Sequence, residues 1–450
     1  MADGFRASMS EVLWIQGGRV IDPANGRDGV GDVFAVDGRI VAALTPQQQA
    51  RASVVDATGL VVAPGFVELN AHLREPGDTH KETIATGTRA AAAGGFTTVV
   101  SSSNTKPPAD NPGTIQLIAD AIARSAKVRV YQTGCLSMGR KGEMLAPIGS
   151  LKRRGTEDPA QWPQPGDVVA VGDGGHCIQS NELMRRAVEY ARMFGLVVYE
   201  RPEDASLTEG CHMNEGEWSL RLGLRGMHRA AEDLMVARAV IFSEHFDARI
   251  HLQGISSEWS AEAIRRARKR GIQVTADLTP HHIALTEEAL RDYSTDLKSV
   301  PPLRTEADRK RLIKGLVEGS IDAISTAHAP HTPMEKDKEF DYAPPGLCGL
   351  ETALPVCLEA LVKAGHCDLP TLIDCLTRRP ASVLGLPHGT LSTGAHADIV
   401  CLDPAAQWTV NAETLYSRSH NTPWLGHVVE GRVCRTYVGG QLVHGPNPNA

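Results

Sequence analysis

Between residues 63 and 327 the chain alternates short apolar runs with longer amphipathic ones. The apolar runs lie at 63–69, 96–102, 128–134, 168–173, 196–200, 249–255, 272–278 and 321–327, each with the length of a buried strand. Segments of helical composition, such as 180–194 and 261–270, separate them. Eight strand-then-helix units predict an α/β fold, a (β/α)8 TIM barrel, with its working residues at the C-terminal ends of the strands. Outside this stretch the pattern changes to period two. Val12-Leu13-Trp14-Ile15, Val33-Phe34-Ala35-Val36 and Arg39-Ile40-Val41 alternate, and Asp37-Gly38 is a hairpin turn signal. Residues 397–404 and 433–443 repeat that style. The expected organisation is therefore a small β-sandwich built from both chain ends, 11–62 and 386–445, around a barrel at 63–385.

The run that organises the barrel is Pro64-Gly65-Phe66-Val67-Glu68-Leu69-Asn70-Ala71-His72. Side chains two apart on a strand share a face, so Asn70 and His72 are expected together beyond the strand end.

Composition narrows the function classes. With 450 residues, 42% hydrophobic and 22% charged, the chain has the make-up of a globular enzyme-like protein. A net charge of −7 leaves no basic footprint for nucleic acid, and the basic run 265–270 reads as a solvated helix face. No apolar run reaches membrane-spanning length, and the first residues carry no hydrophobic export segment. The nine cysteines are scattered with no CxxC pair, which argues against a disulfide framework or structural zinc and points to the cytoplasm. The proline-rich stretch 155–166, with Trp162, reads as a surface excursion.

Several motifs carry a family resemblance: Pro64-Gly65-Phe66, His72-Leu73-Arg74-Glu75-Pro76-Gly77, Lys81-Glu82-Thr83, Gly94-Gly95-Phe96-Thr97-Thr98, Asn104-Thr105 and Gly349-Leu350-Glu351-Thr352. By these the chain resembles the dihydroorotase branch of the metal-dependent cyclic amide hydrolases, over residues 11 to 445. The resemblance implies a barrel with a terminal sandwich and two metal ions that share a hydroxide. It also implies ligand stations, and here these hold Asn70, His72, Asp173 (beside Gly174), Arg201, Gly254 and Ala327. Only His72 and Asp173 keep a ligand type suited to zinc. A guanidinium at Arg201 would repel a dication 4 Å away by roughly 8 kcal/mol at an effective dielectric near 20. His251 cannot replace Gly254, because an offset of three puts it on the other face of the strand. His80, His176, Cys177, His281 and His282 show no zinc-like spacing.

The resemblance assigns the substrate carboxylate to Arg74, Asn104 and the loop residue His331, while Val300 stands where the family has Asn. Two internal uses of the cations compete with ligand binding: Arg74 pairing with Glu68 or Glu75, and Arg201 pairing with Asp173, Glu68 or another carboxylate.

On these residues the expectation is a non-catalytic relative with no catalytic residue, no metal and no cofactor. The resemblance then implies a homodimer that also serves as a structural subunit of aspartate carbamoyltransferase in pyrimidine biosynthesis, with Trp162 and Trp424 as candidate interface anchors. Two other readings stand beside it: an active cyclic amide hydrolase with a single or rearranged metal, and a metal-free scaffold for other partners.

Overall fold

The computed structural model describes residues 12–152 and 163–446. Trp162 and most of the proline-rich stretch lie outside the described residues. Eight parallel strands form the barrel sheet: Phe66–Ala71, Phe96–Ser101, Arg129–Gly134, Val168–Val171, Val197–Glu200, Ile250–Leu252, Val274–Leu278 and Ala323–Ile324, each paired with the next. Their residues are almost all buried, as expected of parallel strands covered on both faces.

No backbone ladder joins the first strand to the eighth; side chains and loop backbone do. Glu68, fully buried, accepts hydrogen bonds from Ser325 Oγ (2.6 Å), the Thr326 amide (2.7 Å) and the Asn70 amide (2.8 Å). Just beyond, the His72 amide donates to the His328 carbonyl at 2.8 Å. The two strands are thus held together at their C-terminal ends, beneath the barrel mouth.

The chain ends build a second sheet of eight strands. Its path runs Gln441–His444, Val428–Val438, Ile399–Thr409, Val61–Pro64, Val12–Asp22, Arg27–Val36 and Arg39–Val41, with Ser53–Asp56 also on Val12–Asp22. Asp37 and Gly38, both at positive φ, turn the predicted hairpin. Leu13, Ile15, Val20, Val62, Ile399, Cys401 and Tyr437 are part of its separate core.

Gly65 is the junction between the sheets. Pro64 pairs with Ile399 in the end sheet, the Gly65 amide donates to the Asp398 carbonyl at 2.9 Å, and the Phe66 amide donates to the Gly95 carbonyl at 2.9 Å. A Cβ on Gly65 would sit 2.1 Å from Thr97 Oγ1, so only glycine lets the first two barrel strands approach there. The helix that follows, Ile84–Ala93, is capped by Thr83, whose hydroxyl accepts from the Thr86 amide at 3.1 Å. Its small residues Gly87, Ala90, Ala91 and Ala92 pack in the core.

All nine cysteines are free. Among the described residues no helix is long and apolar enough to cross a membrane.

Candidate active site at the barrel mouth

A cavity of about 320 Å³ opens at the C-terminal ends of the strands. Of the residues singled out in the sequence, Asn70, His72, Arg74, Asn104, Arg201, Gly254, Ala327 and His331 all line it. Asp173 does not; it lines an adjoining cavity of about 240 Å³. The barrel therefore brings the predicted residues to one place, although they come from across the sequence.

The donor set does not fit the pair of metal ions that the resemblance implies. Asn70 offers an amide, Gly254 no side chain and Ala327 a methyl group. Asp173 is occupied: Oδ1 accepts from the Leu136 and Ser137 amides (2.8 and 2.9 Å) and Oδ2 from Ser137 Oγ (2.5 Å). Arg201 places a guanidinium group in the cavity wall. Among the described residues no three or more His, Cys, Asp or Glu side chains are grouped so as to hold a metal ion. Cys177 bonds to Glu200 and Arg238, and His282 is buried between Thr279 and the Pro302 carbonyl. His176 and His281 line the cavity without a third ligand.

His72 is engaged differently. Its Nδ1 lies 2.8 Å from Asn104 Oδ1, and because an amide oxygen only accepts, the ring proton sits on Nδ1. Burial, then the neighbouring Arg74, holds His72 well below the usual imidazole range. The ring is thus neutral, with its lone pair on Nε2. Asn104 keeps its NH2 group for another acceptor.

Arg74 makes neither of the ion pairs considered for it. Its Nε donates to the Pro330 carbonyl at 3.3 Å and its terminal nitrogen lies 3.4 Å from His331 Nε2. The candidate carboxylates are used elsewhere: Glu68 closes the barrel, and Glu75 accepts from the Ile84 amide at 2.9 Å. His331 Nε2 is also 3.1 Å from the Pro345 carbonyl. Burial, then Arg74, pushes His331 down to about 3, so it is neutral. Arg201 pairs with Glu203 at 2.8 Å, a carboxylate two residues on, rather than with Asp173 or Glu68.

Two residues of the mouth escaped the sequence reading. Asp277, at the end of the seventh strand, lines the cavity and accepts from the Gly254 amide (2.6 Å), with His251 Nε2 3.1 Å from its other oxygen. His251 itself is fully buried and is not among the lining residues, in keeping with its strand face. The position of an acid at a strand's C-terminal end was the available signal. Arg140, in the loop after the third strand, also lines the cavity, and only its charge hinted at a role. Arg74, Arg140 and Ala327 all have positive φ (59°, 59° and 49°), a conformation that costs a non-glycine residue about 1 kcal/mol.

Comparison with known proteins agrees with this architecture. The family described as Dihydro-orotase-like matches residues 59–260. A dihydroorotase of Anaeromyxobacter dehalogenans (strain 2CP-C) is 46% identical over 439 residues, covering 97% of this chain and 98% of the relative. One from Geobacter sp. (strain M21) is 44% identical over 435 residues, covering 96% and 99%. Among solved structures, the L-hydantoinase of Arthrobacter aurescens superposes with a TM-score of 0.82 at 20% identity, covering 97% of this chain and 96% of its own. The dihydropyrimidinase of Brevibacillus agri NCHU1002 gives 0.80 at 22%, covering 96% and 95%. These structures establish the fold. The relatives correct the expectation of a non-catalytic subunit built into aspartate carbamoyltransferase: they are named as enzymes and match this chain at 44–46% identity over nearly its full length. The replaced ligand stations therefore do not by themselves mark the chain as non-catalytic.

Proposed function

This chain belongs to the dihydroorotase-like family, and we propose that it opens the cyclic amide ring of dihydroorotate at the barrel mouth, as an enzyme of pyrimidine biosynthesis. The observation that carries this reading is the gathering of Arg74, Asn104, His331 and His72 around one cavity of about 320 Å³. Arg74 supplies charge and a planar set of donors suited to the ring carboxylate. Asn104 adds an amide donor while its oxygen fixes the His72 tautomer.

Ring opening adds water to the amide carbon and breaks its bond to nitrogen. The nitrogen takes a proton, and the carbon becomes a second carboxylate with release of one proton. In this mouth His72 is neutral, and its unprotonated Nε2 is suited to accept a hydrogen bond from the attacking water and orient it, while burial and Arg74 oppose full protonation of the ring. Arg140 and Arg201, which also line the cavity, supply positive charge for the oxygen that becomes negative in the addition step. The donor set does not fit a metal pair, so no step here is assigned to one. The nine free cysteines suit a reducing compartment, and we place the protein in the cytoplasm.

The test is ring opening of dihydroorotate by the purified chain, followed spectrophotometrically. Turnover well above the buffer rate is expected, with Arg74→Gln raising KM tenfold or more. A rate equal to buffer would overturn the reading.

A further inference from the structure

We propose that Arg140 and Arg201 form a second anion subsite, fitted to the carboxylate that ring opening creates, so that the mouth holds a ureido dicarboxylate more tightly than a cyclic monocarboxylate. The inference deepens the reading above and rests on it for the place of the first carboxylate, at Arg74. The cavity that receives the ring and the adjoining one of about 240 Å³ share Arg140, Gly175, His176 and Arg201 as common lining. These two guanidinium groups therefore lie where the two spaces meet.

Charge decides what such a wall attracts. Among the described residues lining the main cavity, Arg74, Arg140 and Arg201 stand against a single carboxylate, Asp277. Asp277 is already engaged by the Gly254 amide and His251. In the adjoining cavity Asp173 is saturated by the Leu136 and Ser137 groups, and Glu203 pairs with one nitrogen of Arg201 and accepts from Thr208 Oγ1. Arg140 has no carboxylate partner among the described residues. Its Nε donates to the Asp173 carbonyl (2.9 Å) and one terminal nitrogen to the Gly174 carbonyl (2.8 Å), bonds that orient the guanidinium without neutralising it.

Further features point to a ligand here. Among the described residues Arg201 Nε is buried with no hydrogen-bond partner, as is the hydroxyl of Ser299, which lines the same cavity and is 5% exposed. The backbone is held in unusual conformations around the guanidinium groups, with Arg140, Gly174 and Gly175 all at positive φ. A Cβ on Gly175 would stand 3.5 Å from the Arg201 terminal nitrogen, so glycine leaves that side of the cation open. Burial lowers Arg140, the nearby Asp173 raises it in part, and Arg201 adds a smaller like-charge repulsion. An entering carboxylate relieves that repulsion and accepts from both forks.

The experiment is equilibrium binding to the full chain after chelator treatment, with three probes. N-carbamoyl-aspartate carries both carboxylates, orotate only the ring carboxylate, and dihydrouracil neither. The dicarboxylate is expected to bind at least tenfold more tightly than orotate, and dihydrouracil most weakly. Arg140→Gln and Arg201→Gln should each weaken the dicarboxylate tenfold or more while leaving orotate within threefold; Arg201→Lys should recover part of the loss. Melting temperatures identify any variant that fails to fold, and the other variant then decides. Equal affinities for dicarboxylate and orotate would overturn the subsite, as would variants that weaken both probes alike or neither. If the preference and its loss are seen without turnover, the hydrolytic reading fails and the subsite stands. Turnover with an undiminished preference in both Gln variants is the reverse outcome.

Discussion

Asn104 and His72, 32 residues apart in sequence, meet at 2.8 Å across the barrel mouth. This one bond fixes the His72 tautomer and presents the Asn104 NH2 group to the cavity. Asn104→Leu removes both effects while keeping side-chain size. We expect kcat/KM for dihydroorotate to fall by about tenfold or more, the scale of one hydrogen bond to a charged group plus a misplaced imidazole. Chemical denaturation should show a stability change of about 1 kcal/mol or less, since Asn104 is only half-buried. Equal losses in stability and activity would make the bond structural.

Glu68 carries the closure of the barrel. Removing its carboxylate strands three donors, Ser325 Oγ and the amides of Thr326 and Asn70, at a buried seam. Glu68→Ala should lower the unfolding free energy by about 3–5 kcal/mol, combining a cavity with unsatisfied donors. A loss under about 1 kcal/mol would show that the seam is held by other contacts.

The same residue gives stability a pH dependence. Burial pushes Glu68 up from 4.5 to about 7, and desolvation raises Glu351, half-buried and accepting from the Tyr416 and Ser417 amides, to about 7 as well. Between those pH values these two groups bind more protons in the folded chain than in the unfolded chain. The contribution of these two groups is therefore complete below about 4.5 and declines as pH rises toward 7. Each contributes a slope of at most about 1.4 kcal/mol per pH unit. Across that window the slope of stability against pH, taken from denaturation curves, should be less negative, or more positive, in Glu68→Gln than in the wild type, because the buried histidines act alike in both. An unchanged slope would mean that Glu68 stays ionised in the fold.

Gly65→Ala tests the junction of the two sheets. Its Cβ would meet Thr97 Oγ1 at 2.1 Å, and strand backbone on both sides leaves little room to relax. A loss of about 2–4 kcal/mol is expected from overpacking. Gly65→Ala with Thr97→Ser should recover only part of it, because the Thr97 Cβ is also in contact at 2.6 Å. An unaltered melting temperature for the single variant would show that the strands can separate there at no cost.

The barrel was legible because its strands are buried on both faces and read as continuous apolar runs. All eight predicted strands appear within a few residues of their expected places. The stations were legible because flanking motifs fixed their alignment, and eight of the nine named residues line one cavity. What stayed hidden were pairings set by tertiary structure alone. Glu68 binding Ser325 and Thr326 is a contact over more than 250 residues, and nothing local marks it. Arg140 and Asp277 lie in loops and strand ends whose side-chain directions only the closed barrel defines. For Arg201 a carboxylate partner was expected and is present, Glu203 two residues away, while neither Asp173 nor Glu68 fills that role. The sequence also showed four replaced ligands but not what work remains for the mouth, and there the full-length relatives overturned the non-catalytic reading.

The reaction proposed for this mouth uses its own side-chain groups to open a cyclic amide. The most direct measurement is dihydroorotate turnover by the full chain after chelator treatment, with bound metal quantified in the same sample and Arg74→Gln measured alongside. Turnover clearly above buffer is expected in wild type at well under one metal per chain, with kcat/KM reduced tenfold or more in Arg74→Gln. Turnover that vanishes with the metal and returns on adding zinc, or no turnover in any state, would contradict it.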